Sequence, residues 1–570
     1  MILVDKKTIA EYLSEYITSI SVKEIKNLVE IPPPEFDFSY AFPCFQLANF
    51  ERKAPNDIAN ELKKNMKLPN YLVSIEATGP YLNFRVKPEQ ILQIIFTLQE
   101  DYGRIYEISR STSNFSRIVI EYPSPNTNKP LHFGHIRNML LGRTLSNLLK
   151  YKGDKVFDVN LSNNRGIHIC KSMFAYKKWG DGKDPDKKSD HFVGDFYVKY
   201  TQMEQKDSKI IEKVYDLLRL WEENEPQTRA LWRKMNNWAY KGFEETYNTL
   251  KLSFDKEYFE SDIYWKGKEK IIKGLDKGIF SKTEDGAVIA FLEEKFNLPN
   301  KILLRRDGTS LYITQDIFLA FQKKEDFNYD KSIYVVGNEQ DLYFKQLFAV
   351  LDLIGFKEDK FHLSYGMVYL PEGKMKSREG TVVDADDIIN KMQTLAYEEV
   401  DRRYPELTEQ EKKERANAIG LGALSFFILK FNPKSDFIFN PKESISFEGE
   451  TGPYIQYCYA RIESILAKSK KKIDLDVNWD LINHDKELFL IRQLNYFPEI
   501  LDSISLNYNI HLIPQYLLTL CQAFNSFYSS CQVLSDNKKL EKTRILLIRC
   551  VQIIIKIGLD ILGIDILNQM

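Results

Sequence analysis

Hydrophobic positions change their spacing several times along the chain. Near the start Ile9, Tyr12, Leu13 and Tyr16 recur at helical spacing between Asp5, Glu11 and Glu15, which predicts an amphipathic helix. A second helical pattern follows, then a loop rich in proline and aromatics (IPPPEFDFSYAFPCF), a helix (ANELKKNMK) and two alternating runs, YLVSIEA and YLNFRV, that predict strands. Residues 1 to about 115 thus read as a small α+β domain. Two apolar runs, RIVIEY and KVFDVNL, then flank a long helical pattern; strand, helix, strand in this order predicts a βαβ unit and a parallel sheet over 116–385. From about 165 to 300 the pattern is helical and highly charged, with three of the six Trp in one stretch, and reads as an insertion into the α/β domain. Strand patterns resume at GAVIAFL, KILLRR and SIYVVGN. A connecting helical region, 386–450, and a helical bundle, 451–570, complete the chain. The most apolar run, RILLIRCVQIIIKIGLDILGIDIL, is broken by Arg549, Gln552, Lys556 and Asp560 at helical spacing, so it predicts a core-facing helix and no membrane span.

Composition narrows the class of partner. Lys+Arg is 79 against 80 for Asp+Glu, a formal charge of −1, so any nucleic-acid surface must be a local gathering of cations. With 36 Phe, 32 Tyr and 6 Trp, disorder is excluded for most of the length. Six Cys without a CxxC pair argue against a disulfide framework and a Cys-based zinc site, and suit a reducing compartment. Arg165, His168 and Cys170 lie close in sequence, but two ligand types without a second pair do not predict a metal. The basic run from Lys468 to Lys472 reads first as a solvated loop and second as a phosphate contact.

The chemistry concentrates in EYPSPNTNKPLHFGHIRN. A strand ends at Tyr122, three prolines hold the next loop extended, and a helix opens near Gly134 with Gly153 as its stop. His132 and His135 therefore sit at a helix N-terminus, where free N–H groups and the dipole favour an anion. Gly134 lets a planar ring or a phosphate approach the backbone, and Lys129 adds a cation; together these suit a triphosphate. Far downstream, Gly373 and Gly380 bracket Lys374, Met375, Lys376, Ser377 and Arg378, a basic loop suited to polyphosphate. Between the two, Tyr312 and Asp316 are four apart and share a helical face, and Gln340 follows a buried strand. A guanidinium would need such fixed acceptors, at least one of them a carboxylate. Near the C-terminus Tyr454, Tyr457, Tyr459 and Arg461 put aromatics and a cation on one helix, either as core or as a platform for unpaired bases.

His132-Phe-Gly134-His135 resembles the first nucleotide-binding motif of the class I aminoacyl-tRNA synthetases. The wider string from Glu121 to Asn138 is most similar to their arginyl members. The loop at Lys374 resembles the second motif of the class, Lys-Met-Ser-Lys-Ser, but Lys376 stands for its first Ser and Ser377 for its second Lys. In arginyl members a Lys just before the first motif substitutes for that second Lys, and here it is Lys129. The resemblance implies a Rossmann-type parallel-sheet catalytic core with an insertion, an N-terminal α+β domain touching the D-loop corner of tRNA, and an all-α anticodon-binding bundle. It implies ATP contacts from Phe133, Gly134, Lys374, Met375, Lys376 and Ser377, with His132, His135, Lys374 and Lys129 as the catalytic set. It places arginine on Glu121, Asn126, Tyr312, Asp316 and Gln340, and tRNA on Asn83, Tyr454, Tyr457 and Arg461. The implied reaction is arginine activation by ATP followed by transfer to tRNA(Arg). Mg²⁺ would arrive with ATP, no tightly held cofactor or resident metal is needed, and a cytoplasmic monomer is expected. Two other readings are a class I enzyme for another amino acid and an inactive tRNA-binding relative. For cysteine, the first would need a Cys/His zinc pocket that this sequence lacks; the second fits poorly with His132, His135 and Lys374.

Overall fold

The computed structural model describes residues 2–33, 35–104, 115–371, 383–469 and 472–570. The chain divides into two compact units: 111–445, and a second built from both chain ends, 1–110 with 446–570.

The 111–445 unit is organised on a five-stranded, all-parallel sheet. Its spatial order is Asp359–Tyr365, Lys331–Gly337, Arg117–Glu121, Lys155–Ser162, Lys256–Phe259. Ile118, Val119 and Ile120 are all buried, as a strand covered on both faces requires. The first strand in sequence is the central one. The chain winds outward from it to one side, then returns to its other side with Lys331–Gly337. In such sheets the ligand crevice lies beyond the carboxyl ends of the two strands where winding reverses. Here those are the ends that carry Glu121 and Gly337.

The helix after the central strand spans Phe133–Tyr151 and is almost wholly buried. Gly142 on it meets the ring of Tyr122 so closely that a Cβ would fall 2.5 Å from it. The chain leaves this helix at Gly153 with φ +97°, the left-handed geometry that favours glycine. Helices Ile167–Trp179, Ser189–Lys206, Ile210–Glu222 and Pro226–Thr249 follow, sharing a core of Tyr176, Phe192, Phe196 and Leu217. The short strand Lys256–Phe259 lies inside the stretch that the sequence pattern gives as helical, yet it forms the edge of the parallel sheet. Four residues with two charges, KEYF, carry too little apolar periodicity to announce it. GAVIAFL and KILLRR supply strands Val288–Ala290 and Lys301–Leu304 of a separate antiparallel sheet.

The other unit pairs a three-stranded antiparallel sheet, with Tyr81–Val86 between Tyr40–Pro43 and Leu72–Thr78, with C-terminal helices. Helix Pro88–Leu98 packs on Lys538–Leu562, where the Cys550 thiol meets the carbonyl of Leu92. The Tyr40 hydroxyl (2.7 Å) and the Lys6 N–H (3.0 Å) both donate to Glu499, a carboxylate that burial pushes up to about 7. No helix of the described residues is long and apolar enough to cross a membrane.

Candidate active site

The loop between Tyr122 and the histidine helix is held by the end of the neighbouring strand. Asn160 accepts from the Ser124 N–H (3.2 Å), and the Asn163 side chain donates to the Ser124 carbonyl (2.9 Å). Thr127 donates to Asn236 of the inserted helices (2.5 Å). Lys129 is half-buried with no ion-pair partner among the described residues, and burial lowers its pKa. His132 caps the helix, and its N–H donates to Nδ1 of His135 at 3.0 Å. The two rings lie 3.7 Å apart. Burial, with Lys129 nearby, pulls His132 down to about 4; burial, His132 and Lys129 push His135 well below the usual range. Both imidazoles are neutral at pH 7, and Nδ1 of His132 is buried without a partner among the described residues. Among the described residues the site therefore offers an anion two neutral rings and one ammonium.

The Phe133 ring is buried against Phe439 (5.0 Å), and its N–H bonds the Val383 carbonyl (3.0 Å). Gly134, partly buried, lies between the two histidines on the helix's first turn. Two polar residues of the same helix point inward. Arg137 is fully buried and donates to the carbonyls of Pro433 and Ser435 (both 2.9 Å). Asn138 donates to the Val335 carbonyl (2.6 Å) and the Tyr365 hydroxyl (3.2 Å), tying the histidine helix to the two strands beyond the winding reversal. Sequence reasoning gave these two no role; polar types at core-facing helical positions were the available signal.

An acidic group lies at the same end of the sheet. Asp316, one turn into helix Tyr312–Phe327, accepts from the Tyr343 hydroxyl. Burial raises its pKa to about 7, the Tyr343 bond opposes this, and the charge of Glu121 adds to it. Glu121 itself accepts from Lys323 (2.8 Å), a wholly buried lysine that also donates to Ser332 (3.2 Å). Glu260, just past the edge strand, is pushed up to about 7 by burial, with Arg165 opposing and Asp316 adding. Arg165 stacks on Tyr264 (3.6 Å) and pairs with Glu222 (2.7 Å). Tyr312 is 66% exposed, and Asn126 and Gln340 are exposed too. Glu121 and Asp316 thus share one electrostatic neighbourhood, joined by Glu260, Lys323 and Tyr343, which the sequence did not single out.

His168 meets Tyr197 (3.2 Å) and Cys170 is buried, its thiol pushed up to about 12. Lys374, Met375, Lys376 and Ser377 lie outside the described residues. The chain after them is placed: Val383 and Asp384 run beside Phe133 and His132.

In the other unit Asn83 is buried within its strand at 6% exposure. Tyr454, Tyr457 and Arg461 are half-buried on helix Gly452–Ser469. Arg461 lies over Tyr457 (4.6 Å) and Tyr528 (5.5 Å) and donates to Asn525 (2.8 Å), which in turn donates to the Tyr454 hydroxyl (2.7 Å). Tyr528 and Asn525 come from a helix far along the chain and were not foreseen.

Comparison with known proteins bears on both units. The family described as tRNA synthetases class I (R), catalytic domain, matches residues 46–441, and the DALR anticodon binding domain matches 455–570. An arginine–tRNA ligase of Treponema denticola is 44% identical over 564 residues, covering 95% of this chain and 94% of its own. That of Bacteroides thetaiotaomicron is 40% identical over 565 residues, covering 94% of each. Among solved structures, Thermus thermophilus arginyl-tRNA synthetase superposes with a TM-score of 0.84 at 26% identity, covering 99% of both chains.

Proposed function

Because this chain belongs to the class I arginyl-tRNA synthetases, we propose that the histidine loop and the acidic neighbourhood described above are the two halves of one arginine-activating site. The chain is an arginine–tRNA ligase. The arginine carboxylate attacks the α-phosphate of ATP, giving arginyl-adenylate and pyrophosphate, and the terminal ribose of tRNA(Arg) then takes the arginyl group. No side-chain nucleophile is needed, so positioning and charge neutralisation carry the rate.

In this reading His135 and His132 present neutral N–H donors to the phosphates over Gly134, and Lys129 supplies charge. Lys374, Met375, Lys376 and Ser377 act from the downstream loop. Asp316, held by Tyr343, receives the guanidinium, with Tyr312, Gln340 and Asn126 at its rim. Glu121 shapes the pocket through its bond from Lys323. Mg²⁺ enters bound to ATP. The candidate ligand group of Asp190, His191 and Asp386 already holds the Lys188 ammonium, so among the described residues it is no metal cage. The cluster of Tyr454, Tyr457, Arg461 and Tyr528 stacks unpaired tRNA bases; Asn83, being buried, acts on its strand's shape. The enzyme works as a cytoplasmic monomer.

The observation that carries this reading is the pairing, at one end of a parallel sheet, of an anion-seeking helix start with buried carboxylates. Arginine-dependent ATP–pyrophosphate exchange, with and without tRNA(Arg), tests it. Exchange with another amino acid in preference to arginine would overturn it. Light scattering would test the monomer.

A further inference from the structure

Away from the acidic pocket, a cluster of charged side chains lies at the foot of helix Ser189–Lys206. The Lys188 ammonium lies 2.6 Å from Asp386 and 3.2 Å from Asp190, and donates to Thr246 (2.7 Å). His191 Nε2 lies 2.7 Å from Asp386 and 3.5 Å from Asp384. The Asp190 side chain has no solvent exposure. Its seat requires the bare Gly242, since a Cβ there would fall 2.2 Å from the carboxylate. Such a buried ionic network is weak evidence for stability; its best-attested use is to fix one arrangement.

The arrangement it fixes is next to the histidines. Asp384 forms a backbone bridge with His132. The Phe133 N–H donates to Val383 and the Ala385 N–H to Leu131, each at 3.0 Å, so this stretch brackets His132 on both sides. The Asp384 carboxylate then accepts the Asp386 N–H (3.0 Å) and starts the next helix. Helix Ser189–Lys206 also presses on the loop before His132: a Cβ on Gly194 would lie 2.6 Å from Pro130 Cδ. One helix therefore touches both flanks of the histidine motif, once through charge and once through packing.

We propose that Lys188, His191, Asp386 and Gly194 are positioning residues for His132 and His135, so that the inserted helices set the geometry of the phosphate site. The proposal rests on the reading that those histidines meet ATP. Displacing a reacting geometry by about 1 Å can slow a step by about 10²-fold.

The test is arginine-dependent pyrophosphate exchange by wild type, Lys188→Met, Lys188→Arg, Gly194→Ala and His135→Ala, with thermal midpoints measured alongside. Lys188→Met and Gly194→Ala should each lower kcat by roughly ten-fold or more while the KM for arginine stays within about two-fold. Lys188→Arg should recover most of the loss, because it keeps the charge. Should Lys188→Met not fold, Gly194→Ala carries the same test, since it moves Pro130 without touching a charge. Wild-type kcat in folded Lys188→Met and Gly194→Ala, with His135→Ala inactive, would overturn the positioning role alone. Full activity in His135→Ala would overturn the reading of the histidines and the positioning role with it.

Discussion

The N–H of His132 donates to Nδ1 of His135 at 3.0 Å, which fixes the tautomer of His135: Nδ1 accepts, so in the neutral ring Nε2 carries the proton. That proton is a donor set in place before any phosphate arrives, on a ring too strongly desolvated to ionise at pH 7. Its use should be separable from its structural bond. His135→Gln keeps a donor near the Nε2 position and gives up the acceptor; His135→Asn does the opposite. If the donor matters, pre-steady-state adenylate formation should be faster in Gln than in Asn. His135→Ala should lose about 10²–10³-fold, as for a bond made mainly in the transition state. Equal rates in Gln and Asn would show that only the internal bond counts.

The acidic side of the site should respond to pH where the histidines do not. Asp316 sits at about 7 without ligand and must be ionised to receive a guanidinium, so arginine binding should release a proton. Arginine affinity is then full above that value and falls as pH drops through it, by up to about ten-fold per unit. The histidines, far below this range, should leave kcat flat between pH 6 and 8. Glu260 also lies at about 7, so the assignment needs both variants. Asp316→Asn should raise the KM for arginine, on the order of 2–5 kcal/mol for an unpaired buried charge. It should also abolish the pH dependence, whereas Glu260→Gln should preserve it. A pH dependence that survives Asp316→Asn would move the guanidinium site elsewhere.

What was legible in the sequence was whatever local periodicity or turn chemistry encodes. RIVIEY followed by a proline loop and a long apolar helix could be little else than a strand feeding a helix, so His132 and His135 fell at a helix start without any knowledge of contacts. Lys323 was not legible, because its partner Glu121 is 202 residues away and neither residue looks unusual where it stands. The same holds for Tyr343 on Asp316 and for Tyr528 over Arg461. Gly194 and Gly242 drew no attention in the sequence; the close approach of Pro130 to one and Asp190 to the other exists only in the packed structure. The role of Asn83 came from resemblance, while its strand is covered on both faces at Leu82, Asn83 and Phe84, so alternation could not announce its burial.

The unit built from both chain ends carries its own pH signature. Glu499 is pushed from 4.5 to about 7 by burial, against the bonds from Tyr40 and Lys6. Between those values the native state holds a proton that the unfolded chain has released. Stability therefore falls as pH rises across this window, by about 1.4 kcal/mol per unit for a single group. Glu499→Gln keeps an acceptor for the Tyr40 hydroxyl and the Lys6 N–H but carries no charge. It should stabilise this unit by about 1–3 kcal/mol at pH 8 and have little effect at pH 5. Urea midpoints at the two pH values decide it; an equal shift at both would mean that the carboxylate is not the source.

Lys129 combines two measurable consequences. It is half-buried, has no ion-pair partner among the described residues, and adds to the depression of both histidines. As a charge for the phosphates, it should slow adenylate formation when lost, and Lys129→Arg should slow it much less than Lys129→Met. As a neighbour of His132, its removal should let that ring's pKa rise from about 4 towards 6.5, but only part of the way, because burial is the larger cause and remains. Titration of the His132 ring by NMR in wild type and Lys129→Met reads the second effect without reference to activity. The downstream loop adds a third arm. Ser377 stands where the class carries a second lysine, so Ser377→Lys in the Lys129→Met background should restore part of the lost rate by delivering a point charge from the other motif. It should leave the His132 titration as it is in Lys129→Met, since a charge on that loop answers the phosphates of bound ATP rather than the empty ring. Rescue of rate with no return of the pKa would separate the two roles. A Lys129→Met enzyme with wild-type activation and a shifted His132 would leave Lys129 as the histidines' neighbour only, with the phosphate charge supplied by Lys374 or Lys376.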